Sequence, residues 1–179
     1  ELKEIHADQA NYEDYSCMCN EGPSARQGNI LDPIVDNLDP KVFDNPASSN
    51  PKLKNTIRNW VTTKIYHVME NHGLPNPEKW IKLVLTGSLT TYQWTDDSDF
   101  DVSVWIDVNQ LNDFDRSLFV KLVVNNLDGQ VVPGTSHPLQ CFVVDMSQVH
   151  EMREIYKSDV RSAWNIDKNN WVVKPNKLR

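Results

Sequence analysis

The chain has 179 residues, 39% hydrophobic and 24% charged, a composition that suits one cored soluble domain with an appendage and leaves little room for two. No apolar run approaches the ~18 residues of a membrane span, and no basic-then-apolar leader opens the sequence. The net charge is −7 with the basic residues scattered, so an extended duplex nucleic acid, held mainly through its phosphates, is not the expected partner.

The first residue is Glu1 rather than Met, which reads as a fragment or a trimmed chain. Residues 1–49 read as an extended, irregular N-terminal segment. Gly22-Pro23, Asp32-Pro33, Asp39-Pro40 and Asn45-Pro46 punctuate it with turns, and its short apolar pairs can dock on a body without forming a core. Cys17 and Cys19 with His6 fall short of the four ligands of a structural zinc, and three cysteines without framework spacing fit a reducing compartment.

A compact domain is expected over 50–179. Asn50 and Pro51 resemble a helix start. Leu53, Ile57, Trp60, Val61, Ile65 and Val68 then recur at three- and four-residue spacing before Gly73, which predicts a helix over 51–72. His67 and His72 lie at its end and read as surface or capping residues. Residues 80–86 lean towards strand, 100–106 alternate as a strand with two distinct faces, and 111–127 read as a helix stopped at Gly129. A strand over 139–144, a helix over 147–156 and two short strands within 162–173, joined by a turn at 167–170, complete the order. The fold class is α/β (α+β): a mixed, twisted β-sheet with helices packed on it. The basic residues Lys168, Lys174, Lys177 and Arg179 near the end read as a solvated terminus.

The chemistry is concentrated between the second and third of these elements. A strand ends at Thr86, and Gly87-Ser88 follow as a turn in which a backbone without Cβ can approach a ligand and a hydroxyl can meet a phosphate. Ten residues further on, Asp99 and Asp101 stand one residue apart at a strand, so both carboxylates leave one face and repel each other unless a hard dication lies between them. A calcium loop counted from Asp97 fails, because Val102 and Val108 fall where Gly and Glu are needed.

A strand, Gly-Ser, a ten-residue spacer and Asp-hydrophobic-Asp together resemble the signature of the DNA polymerase β-like nucleotidyltransferase superfamily. With Tyr92, Trp94 and Ser98, and with Leu38-Asp39-Pro40, His137-Pro138, Trp171 and Pro175 outside the motif, the chain is similar to a phage-encoded branch over about 38–175. The resemblance implies a nucleotidyltransferase-like fold and transfer of a nucleoside monophosphate from a nucleoside triphosphate to a hydroxyl, with release of pyrophosphate. It implies Gly87 and Ser88 at the β- and γ-phosphates, and Asp99 and Asp101 on magnesium or manganese. It also implies a third acid at the start of a neighbouring strand. There the sequence has Gln140, with Asp145 acidic but about 16 Å further along at ~3.3 Å per residue. His137 is a candidate substitute base.

Three readings follow: an active enzyme weakened by the loss of the third carboxylate, a degenerate fold that binds nucleotide and serves as a structural, virion-associated interaction protein, or a phosphatase-like or unrelated metal-binding α/β domain that imitates the motif by chance. The acceptor expected for the first is an RNA end, a small molecule or a protein hydroxyl. The implied setting is a bacterial cytoplasm or a virion, with no membrane partner.

Overall fold

The computed structural model describes residues 34–111, 118, 121, 126–146 and 162–175. Two two-residue strands come first, β1 (Phe43–Asp44) and β2 (Lys52–Leu53), paired antiparallel with Phe43 opposite Leu53. Helix α1 (Asn55–Asn71) and the short helix α2 (Pro77–Trp80) follow, then β3 (Ile81–Leu85), β4 (Phe100–Ile106), β5 (Leu139–Asp145), β6 (Ala163–Asn165) and β7 (Asn170–Val173). The last five strands form one mixed sheet in the order β5-β4-β3-β6-β7. Every pairing is antiparallel except β4 with β5. A parallel neighbour requires a crossover, and the described residues of that connection include helical Leu118, Lys121, Asn126 and Leu127.

Helix α1 starts later than the sequence predicts. Lys52 and Leu53 are drawn into pairing with β1, so Lys54 takes the N-cap position and the apparent cap at Asn50 is not used. The helix turns Ile57, Val61, Ile65 and Met69 into the core at the expected spacing. They meet Leu83, Leu85, Phe100, Val102, Val104 and Ile106 from the sheet.

Leu38, Val42 and Phe43 belong to the same core. The body therefore begins well before residue 50, and the boundary expected there falls inside it. Only the apolar pair at 42–43 is shown to dock as its sequence allows, while Ile34 is exposed.

Strand β4 carries seven buried residues where alternation predicts one wet face. Its second face is covered too, because Val84, Trp105 and Ala163 form a smaller cluster with Val144, Met146, Val172 and Val173 against it. The predicted hairpin near the C-terminus is present as β6 and β7. Its turn carries Asp167, which accepts hydrogen bonds from Leu83 N and the Tyr66 hydroxyl, while Arg58 donates to the Ile166 and Asp167 carbonyls. Phe43, Trp164 and Trp171 pack edge-on and stacked beside it. The predicted helix over 147–156 and most of the one over 111–127 lie outside the described residues, as do Cys17, Cys19, His6, Lys177 and Arg179.

Candidate functional site

The antiparallel register sets Leu85 at the end of β3 opposite Val102 near the start of β4, and Thr86 N donates to the Asp101 carbonyl at 2.9 Å. The chain then leaves the sheet through Gly87 into a single 3-10 turn, Ser88–Thr90. The parallel partner β5 starts at the same end of the sheet, with Gln140 opposite Asp101. Three element ends therefore converge on one place: the exit of β3 and the entries of β4 and β5.

Gly87 has φ +75° and ψ −164°, a conformation that side chains other than glycine's rarely adopt. A Cβ built on it would lie 1.9 Å from Asp101 Oδ2. The glycine is thus fixed by the carboxylate itself, whose oxygen occupies the space a side chain would need. That packing was not legible from the Gly-Ser dipeptide, which pointed outwards to a ligand.

Asp101 is 7% exposed, and its Oδ1 is buried without a hydrogen-bond partner. Burial first, and the Asp99 charge second, push its carboxyl up to about 7. Asp99, Asp101 and Ser88 line one recess with Gln93, Thr95, Asp97 and Ser98. The recess encloses about 20 Å³, room for an ion or a water and far too little for a nucleotide, whose bulk would have to lie on the open surface beyond it.

The loop from Gln93 to Asp99 lacks regular structure and is tied down by hydrogen bonds on both sides. Ser88 Oγ donates to Ser98 Oγ at 2.8 Å, and Thr95 N donates to the same oxygen at 2.9 Å. From the other side, Val35 N donates to the Tyr92 carbonyl and Trp94 Nε1 to the Asn37 carbonyl. Lys41 forms an exposed ion pair with Asp96. Gln93 and Thr95 carry no signal in the sequence, and Asp97 stands there only as the start of a rejected calcium loop, because a loop has no periodicity to mark which side chains turn inwards. Ser98 entered it only through the resemblance.

His137 does not fit the role of base. It is fully buried, with Nε2 2.6 Å from Asp39 Oδ2 and Nδ1 2.7 Å from the Ser98 carbonyl. Both ring nitrogens are committed to oxygen acceptors, and the ring does not line the recess. It fastens the turn before β5 to the loop that carries Asp99 and to the N-terminal segment. Asp145 pairs in register with Ile106, at the opposite end of the sheet from Asp101. It cannot complete an acidic triad, and the strand position paired with Asp101 belongs to Gln140, as the resemblance implies. His72 turns back onto its own helix, with Nδ1 2.7 Å from the Val68 carbonyl.

Among the described residues, no three His, Cys, Asp or Glu side chains are grouped so as to hold a metal. The residues present still fit a hard cation in part. The recess is lined by carboxylate, hydroxyl and amide groups, it is ion-sized, and one of its lining carboxylates, Asp101, has a buried oxygen without a hydrogen-bond partner. No helix among the described residues is long and apolar enough to cross a membrane. No family model, curated protein or solved structure matches the chain.

Proposed function

We propose that the chain binds a nucleoside triphosphate with magnesium or manganese at the Gly87–Asp101 recess and transfers the nucleoside monophosphate to a hydroxyl, in the manner of the superfamily its motif resembles. One observation carries this reading. The Asp101 carboxylate is buried against Gly87 with an oxygen left unsatisfied, at an ion-sized opening it shares with Asp99 and Ser88. A carboxylate kept there without a partner costs stability, and a bound cation offsets that cost.

Asp99 and Asp101 would hold the ion, and when bound it supplies neutralisation of the charge on the triphosphate. Gly87 lets the backbone come close, and the Ser88 hydroxyl, steadied by Ser98, faces the same opening. Gln140, in the register position where the resemblance implies a third acid, cannot take a proton from an attacking hydroxyl. That one residue favours a second reading: nucleotide binding with slow or absent transfer, the behaviour of a degenerate member acting through interaction.

Titration calorimetry with ATP, with and without magnesium, on the wild type and on Asp99→Asn plus Asp101→Asn tests the binding. Incubation with each of the four α-labelled triphosphates and RNA, small-molecule or protein hydroxyls tests the transfer. Magnesium-dependent binding that survives the double substitution would remove the site from consideration. Binding without label transfer to any acceptor selects the second reading.

A further inference from the structure

We infer that the side-chain carbonyl of Gln140 is a neutral third ligand for the divalent cation drawn by Asp99 and Asp101, so that the site holds a single ion on two charges and one dipole. The inference rests on the cation-binding part of the reading above. Among the described residues, two buried side-chain polar atoms have no hydrogen-bond partner: Asp101 Oδ1 and Gln140 Oε1. The residues that carry them are paired in register across β4 and β5, with Gln140 beside Asp101 and behind the recess rather than among the residues that line it. Side chains at paired positions of neighbouring strands leave the same face of the sheet, so the two orphans belong to one neighbourhood.

Both atoms are acceptors, and two acceptors cannot satisfy each other. Buried polar atoms left without partners are few in native proteins, and two on adjacent strands call for one common occupant. A cation is the occupant that satisfies a carboxylate oxygen and an amide oxygen together. An uncharged oxygen can serve as a third protein ligand beside the two carboxylates. Amide carbonyls are established hard-oxygen ligands for divalent ions. The opposite arrangement is an amide turned so that its NH₂ donates to Asp101. It would make Gln140 a lock on the carboxylate that a cation must break, and it predicts effects of opposite sign.

The test uses the full chain and Mn²⁺ alone, with affinity and stoichiometry read by calorimetry and by the free-ion electron-spin signal. Asp101→Asn reports on the carboxylate site itself. Gln140→Met keeps the length of the side chain and removes its oxygen, and Gln140→Glu keeps the oxygen and adds a charge. Circular dichroism establishes that each variant is folded. The expected result is one Mn²⁺ per wild-type chain, affinity weakened about tenfold by Gln140→Met and strengthened about tenfold by Gln140→Glu. Unchanged affinity in both Gln140 variants, with Asp101→Asn still abolishing binding, overturns the inference and leaves the carboxylate site standing. Tighter binding by Gln140→Met overturns it in favour of the lock. No Mn²⁺ binding by the wild type, or equal binding by Asp101→Asn, removes both the inference and the site on which it rests.

Discussion

At the scale of single residues, Asp101 makes its own contribution to how stability depends on pH. Its carboxyl is pushed up to about 7 by burial and by Asp99, against 3.8 for an ordinary aspartate. Below about pH 4 the folded and unfolded chains both hold the proton. Between about 4 and 7 the unfolded chain has released it while the native state keeps it, so the Asp101 contribution to stability falls as pH rises through that window. Above 7 the deficit is constant, on the order of a few kcal/mol. Asp101→Asn is therefore expected to melt higher than the wild type at pH 8 in chelator, with the gap closing towards pH 4. Magnesium should close it from the other side by raising only the wild type. Differential scanning calorimetry at several pH values checks this, and a variant that melts lower than the wild type at pH 8 refutes it. Gly87 gives a prediction of the other sign. Gly87→Ala meets Asp101 Oδ2 and a backbone torsion that costs a non-glycine residue roughly 1–3 kcal/mol, so it should lower stability by at least that much and lose nucleotide binding as well. Ser88→Ala should fold normally and weaken nucleotide binding by about 1 kcal/mol for one hydroxyl contact. Wild-type nucleotide affinity in both variants, read by calorimetry on folded protein, would mean that the turn has no part in binding.

At the scale of elements, the loops matter more than their lack of regular structure implies. His137 joins the turn before β5 to the Ser98 carbonyl and to Asp39, all of them buried or nearly so. Removing one partner of such a pair strands the other in the interior, and His137→Ala is expected to cost about 3–5 kcal/mol. A urea melt reads this directly. A base would give the reverse pattern: full stability and lost turnover. The difference shows what sequence could and could not supply. The strands expected over 80–86, 100–106 and 139–144 are legible because apolar residues alternate or run together there, whereas the place of Gln140 beside Asp101 is implied only by the resemblance, since alternation sets faces and not register between strands. The pairing of β1 with β2 is not legible, since two-residue strands are made by what they touch rather than by any local pattern. The true start of α1 was hidden for the same reason, with Asn50-Pro51 imitating a cap that tertiary pairing overrides. His137-Pro138 was visible as a motif, but nothing in the sequence says that its ring points inwards to Asp39.

At the scale of the whole molecule, the stretch from Leu38 to Phe43 is part of the body. Leu38, Val42 and Phe43 are buried in the main core, and Asp39 meets His137 from the far side of the chain. A chain that begins at Pro51 loses three core side chains and strands the imidazole, a combined penalty comparable with the roughly 5–15 kcal/mol total stability of a domain. It is expected to lose its cooperative thermal transition, which circular dichroism would detect. A sharp transition at the full-length temperature would show that the body is complete from residue 51. The sequence put the boundary there because turn-forming residues outnumber apolar ones before Asn50, and composition counts residues without weighing where a few of them insert.

The mixed direction of the sheet also dictates an order of assembly. Antiparallel β3 and β4 are close in sequence, while β5 and β6 must be brought in across much longer loops, whose closure entropy is lost before any contact repays it. The β6–β7 hairpin has the shortest connection, and of the strands that build the site the first to pair are then β3 and β4, which carry Gly87 at one strand exit and Asp99 and Asp101 at the other entry. Two acids are thus brought together before Gln140 and the His137 turn arrive beside them. Folding should accordingly be slowed by changes in the β3–β4 pairing, and changes in β5 should act mainly on the unfolding rate. A divalent ion present during refolding would relieve repulsion in the nucleus itself, so magnesium is expected to speed folding as well as to raise the melting temperature.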